Sequence, residues 1–305
     1  MASITDIAID HRSMNTGIAY AALAYIFWGL FPLYFKALAG VAPLEILMHR
    51  MLWSLAVVAV ILAVRRQWSW VRTLGARPAL LGRFVVSALL ISLNWFVYIW
   101  AVNSGHVIDA SLGYFITPLF NVLLGRFVFN ERLRNAQWTA VALAAAGVVW
   151  LGWRTQHLPW IGLLLATSFA GYGLAKKTAP LGALEGLTLE TMLLFPIATI
   201  ALAWLAYHAQ SAFVAGPDAT RWLLIGAGPI TAIPLLLFAA GARRIPLTTL
   251  GLLQYLSPTL QLLLGAWVYH EPFGGATLMG YALIWAALLL YAVDGAWQRR
   301  YRSAA

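Results

Sequence analysis

Two charged side chains lie well inside apolar spans. Arg50 lies in LEILMHRMLWSLAVVAVILAV (44–64), which also has Glu45 at its edge, and Glu190 in LTLETMLLFPIATIALAWLAYH (187–208). An arginine at depth in hydrocarbon is expensive unless it is paired or wetted. Its planar fork suits bidentate contact with an anionic or carboxylate-bearing substrate; a structural ion pair or a contact to backbone carbonyls is the alternative. A buried carboxylate such as Glu190 can take up and release a proton, because burial favours its neutral form. It could also bind a substrate amine, or form a structural salt bridge to Arg50 or a loop arginine. Both pairs of readings stand on sequence.

Neutral polar and aromatic groups accompany them. Asn94 and Tyr98 are one turn apart beside Trp95. Together with Trp28, Tyr114, Asn121, Gln254 and Gln261 they are expected to line a polar, aromatic-walled cavity, in which amides and phenols orient a small ligand. The competing use is hydrogen bonding between helices, about 0.6 kcal/mol each on average in membranes. Four of these residues fall on helical stripes. Ser111, Tyr114, Pro118, Asn121 and Gly125 are spaced 3, 4, 3 and 4, and so are Gly251, Gln254, Pro258, Gln261 and Gly265. At 3.6 residues per turn each set lines one face, which in lipid must look toward protein or water.

The two stripes are copies. Shifting SLGYFITPLFNVLLGRFVFNE (111–131) by 140 positions lays it on GLLQYLSPTLQLLLGAWVYHE (251–271). Pro118 meets Pro258, Leu123-Leu124-Gly125 meets Leu263-Leu264-Gly265, and Glu131 meets Glu271. The same shift sets Lys36 on Lys176, Glu45 on Glu185, and Arg50 opposite Glu190. One ungapped register over most of the chain indicates two halves of one repeated unit.

Composition sets the environment. The 305 residues are 62% hydrophobic and 10% charged, with fifteen tryptophans and a mean hydropathy of +0.79. A soluble globule is nearer about 45–50% apolar and about 25% charged, and tryptophan collects at membrane interfaces. Ten apolar spans follow, at 17–36, 44–64, 80–102, 107–129, 136–153, 158–176, 187–208, 221–242, 247–269 and 277–296. Most approach the ~20 residues a spanning helix needs. The expected fold is an all-α membrane protein of ten transmembrane helices. Residues 17–153 form a first five-helix repeat and 158–296 a second, with cytosolic tails at 1–16 (no signal-peptide pattern) and 297–305. An odd number of spans per half turns the second upside down, an arrangement that places a transporter's substrate site at the repeat interface near mid-membrane.

With the N-terminus in the cytosol, every Lys and Arg except Lys36, Arg50, Arg154 and Arg221 falls on the cytosolic side. That skew sets the orientation. It also accounts for the net charge of +10 without nucleic acid as a partner. Pro32, Pro118, Pro196, Pro229, Pro234 and Pro258 lie inside spans, as hinges for alternating access or as static kinks. Small residues Ala140, Ala144 and Gly147 place span five, and with it span ten, at the periphery as scaffold or a dimer face. Asp109 and Asp294 near span ends read as solvated carboxylates, and His106, His157, His208 and His270 as interfacial.

The chain resembles the ten-helix permeases of the drug/metabolite transporter superfamily, with two EamA-type repeats. It is most similar to the RarD branch, the chloramphenicol-sensitivity permeases. The residues that carry the likeness are WGLFPLYFK (28–36), EILMHRMLWS (45–54), RQWS (66–69), NWFVYIWAVN (94–103), ASLGYFITPL (110–119), FAGYGLAKK (169–177), LETMLLFP (189–196) and LGLLQYLSPTL (250–260). The resemblance implies a bacterial inner-membrane protein that moves small organic molecules, with efflux favoured over uptake.

Other classes lack their signatures. The sequence has no GxxxxGK[ST] loop for an ATP motor, no HExxH or Cys/His metal spacing, and no cysteine. The expectation is therefore a secondary transporter, not an enzyme, without cofactor or metal. It would move small organic metabolites, amino acids or drugs by alternating access, with protons as a candidate coupling ion. The transport unit is expected to be a monomer, with spans five and ten available for dimerisation. The alternative is a flippase of a lipid-linked or isoprenoid intermediate, with a membrane enzyme acting on a lipid-phase substrate as a third reading.

Overall fold

A computed structural model describes residues 11–73, 78–128, 133–155, 158–177, 181–242, 244–245 and 253–302. Glu131, His157 and Gly251, singled out in the sequence, lie outside them. Among the described residues every regular element is helical: α1 (His11–Gly29), α2 (Phe31–Lys36), α3 (Pro43–Arg65), a 3-10 turn (Ser69–Thr73), α4 (Pro78–Asn103), α5 (Val107–Val128), α6 (Asn135–Thr155), α7 (Trp160–Lys177), α8 (Ala183–Tyr207), α9 (Ala212–Ala215), α10 (Asp218–Ala242), α11 (Leu256–Leu263) with a π turn (Leu264–Val268), and α12 (Ala276–Arg302). Among the described residues, eight helices are long and apolar enough to cross a membrane. Two shorter apolar ones, Trp160–Ala175 and Leu256–Val268, accompany them.

Local chemistry explains the breaks. The first span is interrupted at Leu30, and Pro32 enters the first turn of α2, where its missing N–H leaves no acceptor unserved. Pro43 starts α3 in the same way. Gly105 takes φ +80 in the turn from α4 to α5, a conformation glycine adopts freely. Pro118 sits inside an unbroken α5.

Helices pack in pairs: α1 and α3 on α10, α8 on α3, α4 and α5 on α7, α1 and α5 on α11, and α6 on α12. Large apolar side chains such as Val64, Ile200, Trp222 and Leu289 point outward and are exposed. A chain surrounded by lipid requires such an outer face. The small residues of α6 are used within the chain. Ala140 and Ala144 are buried, and a Cβ on Gly147 would come within 2.9 Å of the Gly280 carbonyl on α12. A contact between protomers would therefore have to use another face of these helices. Asp294, expected to be solvated, is instead paired with Arg134, tying α12 to the start of α6.

Candidate functional site

Arg50 leaves the second turn of α3 and is 3% exposed. Its Nε donates to Thr231 Oγ1 on α10 at 2.8 Å, and that hydroxyl donates onward to the Ala227 carbonyl. Aromatic faces surround the guanidinium. Its carbon is 3.9 Å from the centroid of the Trp95 ring, 5.5 Å from Phe31 and 5.7 Å from Phe35. Cation–π attraction of this kind is worth about 2 kcal/mol when desolvated. Nη1 has no hydrogen-bond partner among the described residues.

Three phenols lie within electrostatic reach of this charge: Tyr34, Tyr98 and Tyr114. Tyr34 donates to the Leu223 carbonyl on α10. Tyr98 stacks edge-on to Tyr114, with centroids 5.7 Å apart, and its buried hydroxyl has no partner among the described residues. Tyr114 donates to Asn94 Oδ1 at 3.3 Å. Asn94 in turn donates from Nδ2 to the Leu165 carbonyl at 2.9 Å and to Ser168 Oγ at 3.0 Å, both on α7. So Arg50, Asn94, Tyr98 and Tyr114 gather in one cluster, positioned by α3, α4 and α5 and closed by α2, α7 and α10.

Trp28 and Gln261 form a second contact. Gln261 Nε2 donates to the Trp28 carbonyl at 3.1 Å and to Ser257 Oγ at 3.2 Å, while the Trp28 ring packs on Tyr25 and Phe238. Glu190 forms a third. It is 1% exposed, and it accepts from Ser87 Oγ on α4 and from Tyr172 Oη on α7 at 3.3 Å. None of these partners is shared with Arg50. Asn121 is exposed and Gln254 half-buried in the turn before α11; neither joins the Arg50 cluster through a described contact.

Three acidic residues serve helix ends. Glu45 accepts from Ser211 Oγ at 2.8 Å, from Ala212 N at 3.0 Å and from Phe213 N at 3.1 Å. Glu185 accepts from Gly182 N at 3.1 Å. Glu271 accepts from Val107 N and Ile108 N, each at 2.8 Å, and so caps α5. Burial pushes the Glu271 carboxyl above its ordinary range, and the two N–H bonds pull it back.

Sequence reasoning missed Thr231, Tyr269 and the ring pair Phe31 and Phe35. Thr231 stood out only as a polar residue between Pro229 and Pro234. Tyr269 carries Lys36 Nζ 5.3 Å from its ring centroid, and its buried hydroxyl has no partner among the described residues.

Comparison with known proteins decides what kind of molecule holds this cluster. The EamA-like transporter family matches residues 15–153. Protein RarD of Escherichia coli (strain K12) is 42% identical over 97% of this chain and 100% of its own length. The uncharacterized transporter YojE of Bacillus subtilis (strain 168) is 44% identical over the same shares. The chain belongs to the EamA-like transporter family, as a RarD-like permease. It is thus a multi-pass membrane transporter, and the Arg50 cluster is a cluster within a RarD-like permease. A solved crystal structure matches with a TM-score of 0.53 at 20% identity, covering 91% of this chain and 97% of that one; this likeness is one of fold.

Proposed function

We propose that this permease is a secondary transporter that exports small organic metabolites, amino acids or drugs across the bacterial inner membrane by alternating access. The observation that carries the reading is Arg50, buried at 3% exposure with Nη1 unpartnered among the described residues, where α3, α4 and α5 of one half meet α7 and α10 of the other. A binding group at the junction of two inverted repeats is how many secondary transporters place their substrate.

The packing pattern supports two inverted five-helix repeats over 17–153 and 158–296. Counting α7, and α11 with its π turn, as short spans makes ten. Exchanging each span with its counterpart leaves the main contacts unchanged. The contact of α1 with α10 answers that of α7 with α4, α1 with α11 answers α7 with α5, and α3 with α10 answers α8 with α4. Corresponding stripe positions differ in environment, since Asn121 is exposed and Gln261 is 2% exposed. With both termini cytosolic, this asymmetry reads as a state open toward the cytosol and closed at the other side, where Glu271 holds the start of α5. Glu190 is the candidate for proton coupling, and the transport unit is a monomer.

The test is counterflow in proteoliposomes. Purified protein is reconstituted with an internal panel of amino acids, carboxylic acids and amphiphilic drugs, and exchange of labelled solute is followed with and without a pH gradient. Saturable exchange that Arg50→Gln abolishes is expected. Exchange equal to protein-free vesicles for the whole panel, with a lipid-linked precursor scrambled instead, would sink the solute-exporter reading.

A further inference from the structure

The Arg50 charge lacks a counter-ion among the described residues. The nearest acidic residue along α3, Glu45, has its oxygens taken by Ser211, Ala212 and Phe213. The described ion pairs join His49 to Glu45, His106 to Asp109, Arg134 to Asp294 and Arg221 to Asp218; Arg50 is in none of them. Ring faces and one threonine hydroxyl are what it has. Cation–π attraction recovers only part of the several kcal/mol that burying an ion takes. A second donor without an acceptor lies in the same cluster: the Tyr98 hydroxyl, on a residue 2% exposed. Buried donors of this kind call for a partner.

One fixed positive charge balances one negative charge. A guanidinium edge can only donate and a phenol hydroxyl can donate beside it, and a carboxylate offers two oxygens that accept. Phe31, Phe35 and Trp95 around the guanidinium suit an apolar or aromatic body. A second cation, Lys36, lies 5.3 Å from the ring centroid of Tyr269. The carboxylate of Glu271 also faces Lys36, but its oxygens are occupied by the start of α5.

We propose that the ligand of this site is a small organic monoanion, a carboxylate on an apolar or aromatic body, received by Arg50 Nη1 and the Tyr98 hydroxyl. Binding follows from the cluster itself; that the bound anion is carried across the membrane rests on the transporter reading above.

The test uses matched probes on the full-length protein in detergent: benzoate against benzamide, N-acetylphenylalanine against its amide, and lactate against lactamide. Ligand that binds the folded state raises the melting temperature in proportion to the logarithm of its concentration over Kd. At least one carboxylate should raise the wild-type melting temperature while its amide does not. Arg50→Gln should weaken that carboxylate at least ~10-fold, since no charge remains for it. Tyr98→Phe should weaken it roughly 10-fold or more, one hydrogen bond to a charged group being lost. Without ligand, Arg50→Gln should melt within about 2 °C of wild type or above it, because an uncompensated buried charge is removed. A clearly lower ligand-free melting temperature would mean that Arg50 is a structural ion-pair member, which overturns the proposal. So would a panel in which every carboxylate is silent, or one in which amides and carboxylates act alike. If carboxylates bind as stated but never cross proteoliposomes, the transporter reading fails and the anion site stands. If neutral or cationic solutes cross in an Arg50-dependent way, the reverse holds.

Discussion

Arg50 and Glu190 stand 140 positions apart at corresponding places in the two halves. Both are almost wholly buried, yet they are held in different ways. Glu190 accepts hydrogen bonds from Ser87 on α4 and Tyr172 on α7, joining α8 to both. Among the described residues Arg50 makes one hydrogen bond, to Thr231, and otherwise meets ring faces, with Nη1 left over. Depth alone would treat the two charges as equivalent. Counting partners separates them: a satisfied buried group ties helices together, and an unsatisfied one has capacity for something else.

The most direct way to break this comparison is to neutralise each charge. Arg50→Gln should reduce apparent affinity for a transported anion by about two orders of magnitude or more, since removing one member of a buried charge pair costs about 3–5 kcal/mol. Substrate titration in proteoliposomes measures it, with Kd by melting-temperature titration beside it. Glu190→Gln should leave anion affinity within a few-fold. If Glu190 couples protons, the variant should instead lose the response of flux to a pH gradient. An affinity loss in Glu190→Gln as large as in Arg50→Gln would erase the distinction.

Stability should invert the order. Ser87→Ala removes a donor to Glu190, and hydrogen bonds to charged groups contribute about 1.5–3 kcal/mol. A lower melting temperature with anion affinity unchanged is expected. Thr231→Val removes the one polar partner of Arg50 among the described residues and is expected to cost less in stability than Ser87→Ala. It should weaken anion binding as well, because Nε then loses what fixes the fork. Differential scanning of both variants with and without benzoate reads both quantities.

How much of this was legible in the sequence follows from the range over which each feature is determined. Apolar helices and the bend at Pro32 are local, being set by runs of apolar side chains and by proline's missing donor. That Asn94, Tyr98 and Tyr114 come close together is in line with their polar and aromatic types inside apolar spans, whereas the sequence had no means of setting Arg50 beside them. Thr231 and Tyr269 were not legible, since their proximity to Arg50 and Lys36 depends on how distant helices cross. Asn121 shows the limit of a stripe. It shares a face with Tyr114 in register, but two turns further along α5 that face has left the cluster and is exposed. Depth along the helix, which a periodicity does not encode, decides it.

The finest test of the comparison concerns the link between Arg50's surroundings and α7. Tyr114 donates to Asn94, and Asn94 is anchored twice on α7. Tyr114→Phe removes only the 3.3 Å bond and keeps the ring that stacks against Tyr98. The expected loss of stability is about 0.6 kcal/mol, typical of a hydrogen bond between membrane helices, a shift small in a melting curve. Anion affinity should fall less than in Tyr98→Phe, because Tyr114's hydroxyl already has an acceptor and Tyr98's does not. Equal losses in the two phenylalanine variants would mean that the substrate draws on both phenols. Its carboxylate would then sit deeper toward α5 than the free edge of Arg50 alone suggests. A larger loss in Tyr114→Phe would move the centre of the site from Arg50 to Asn94, making the arginine a neighbour of the substrate rather than its principal contact.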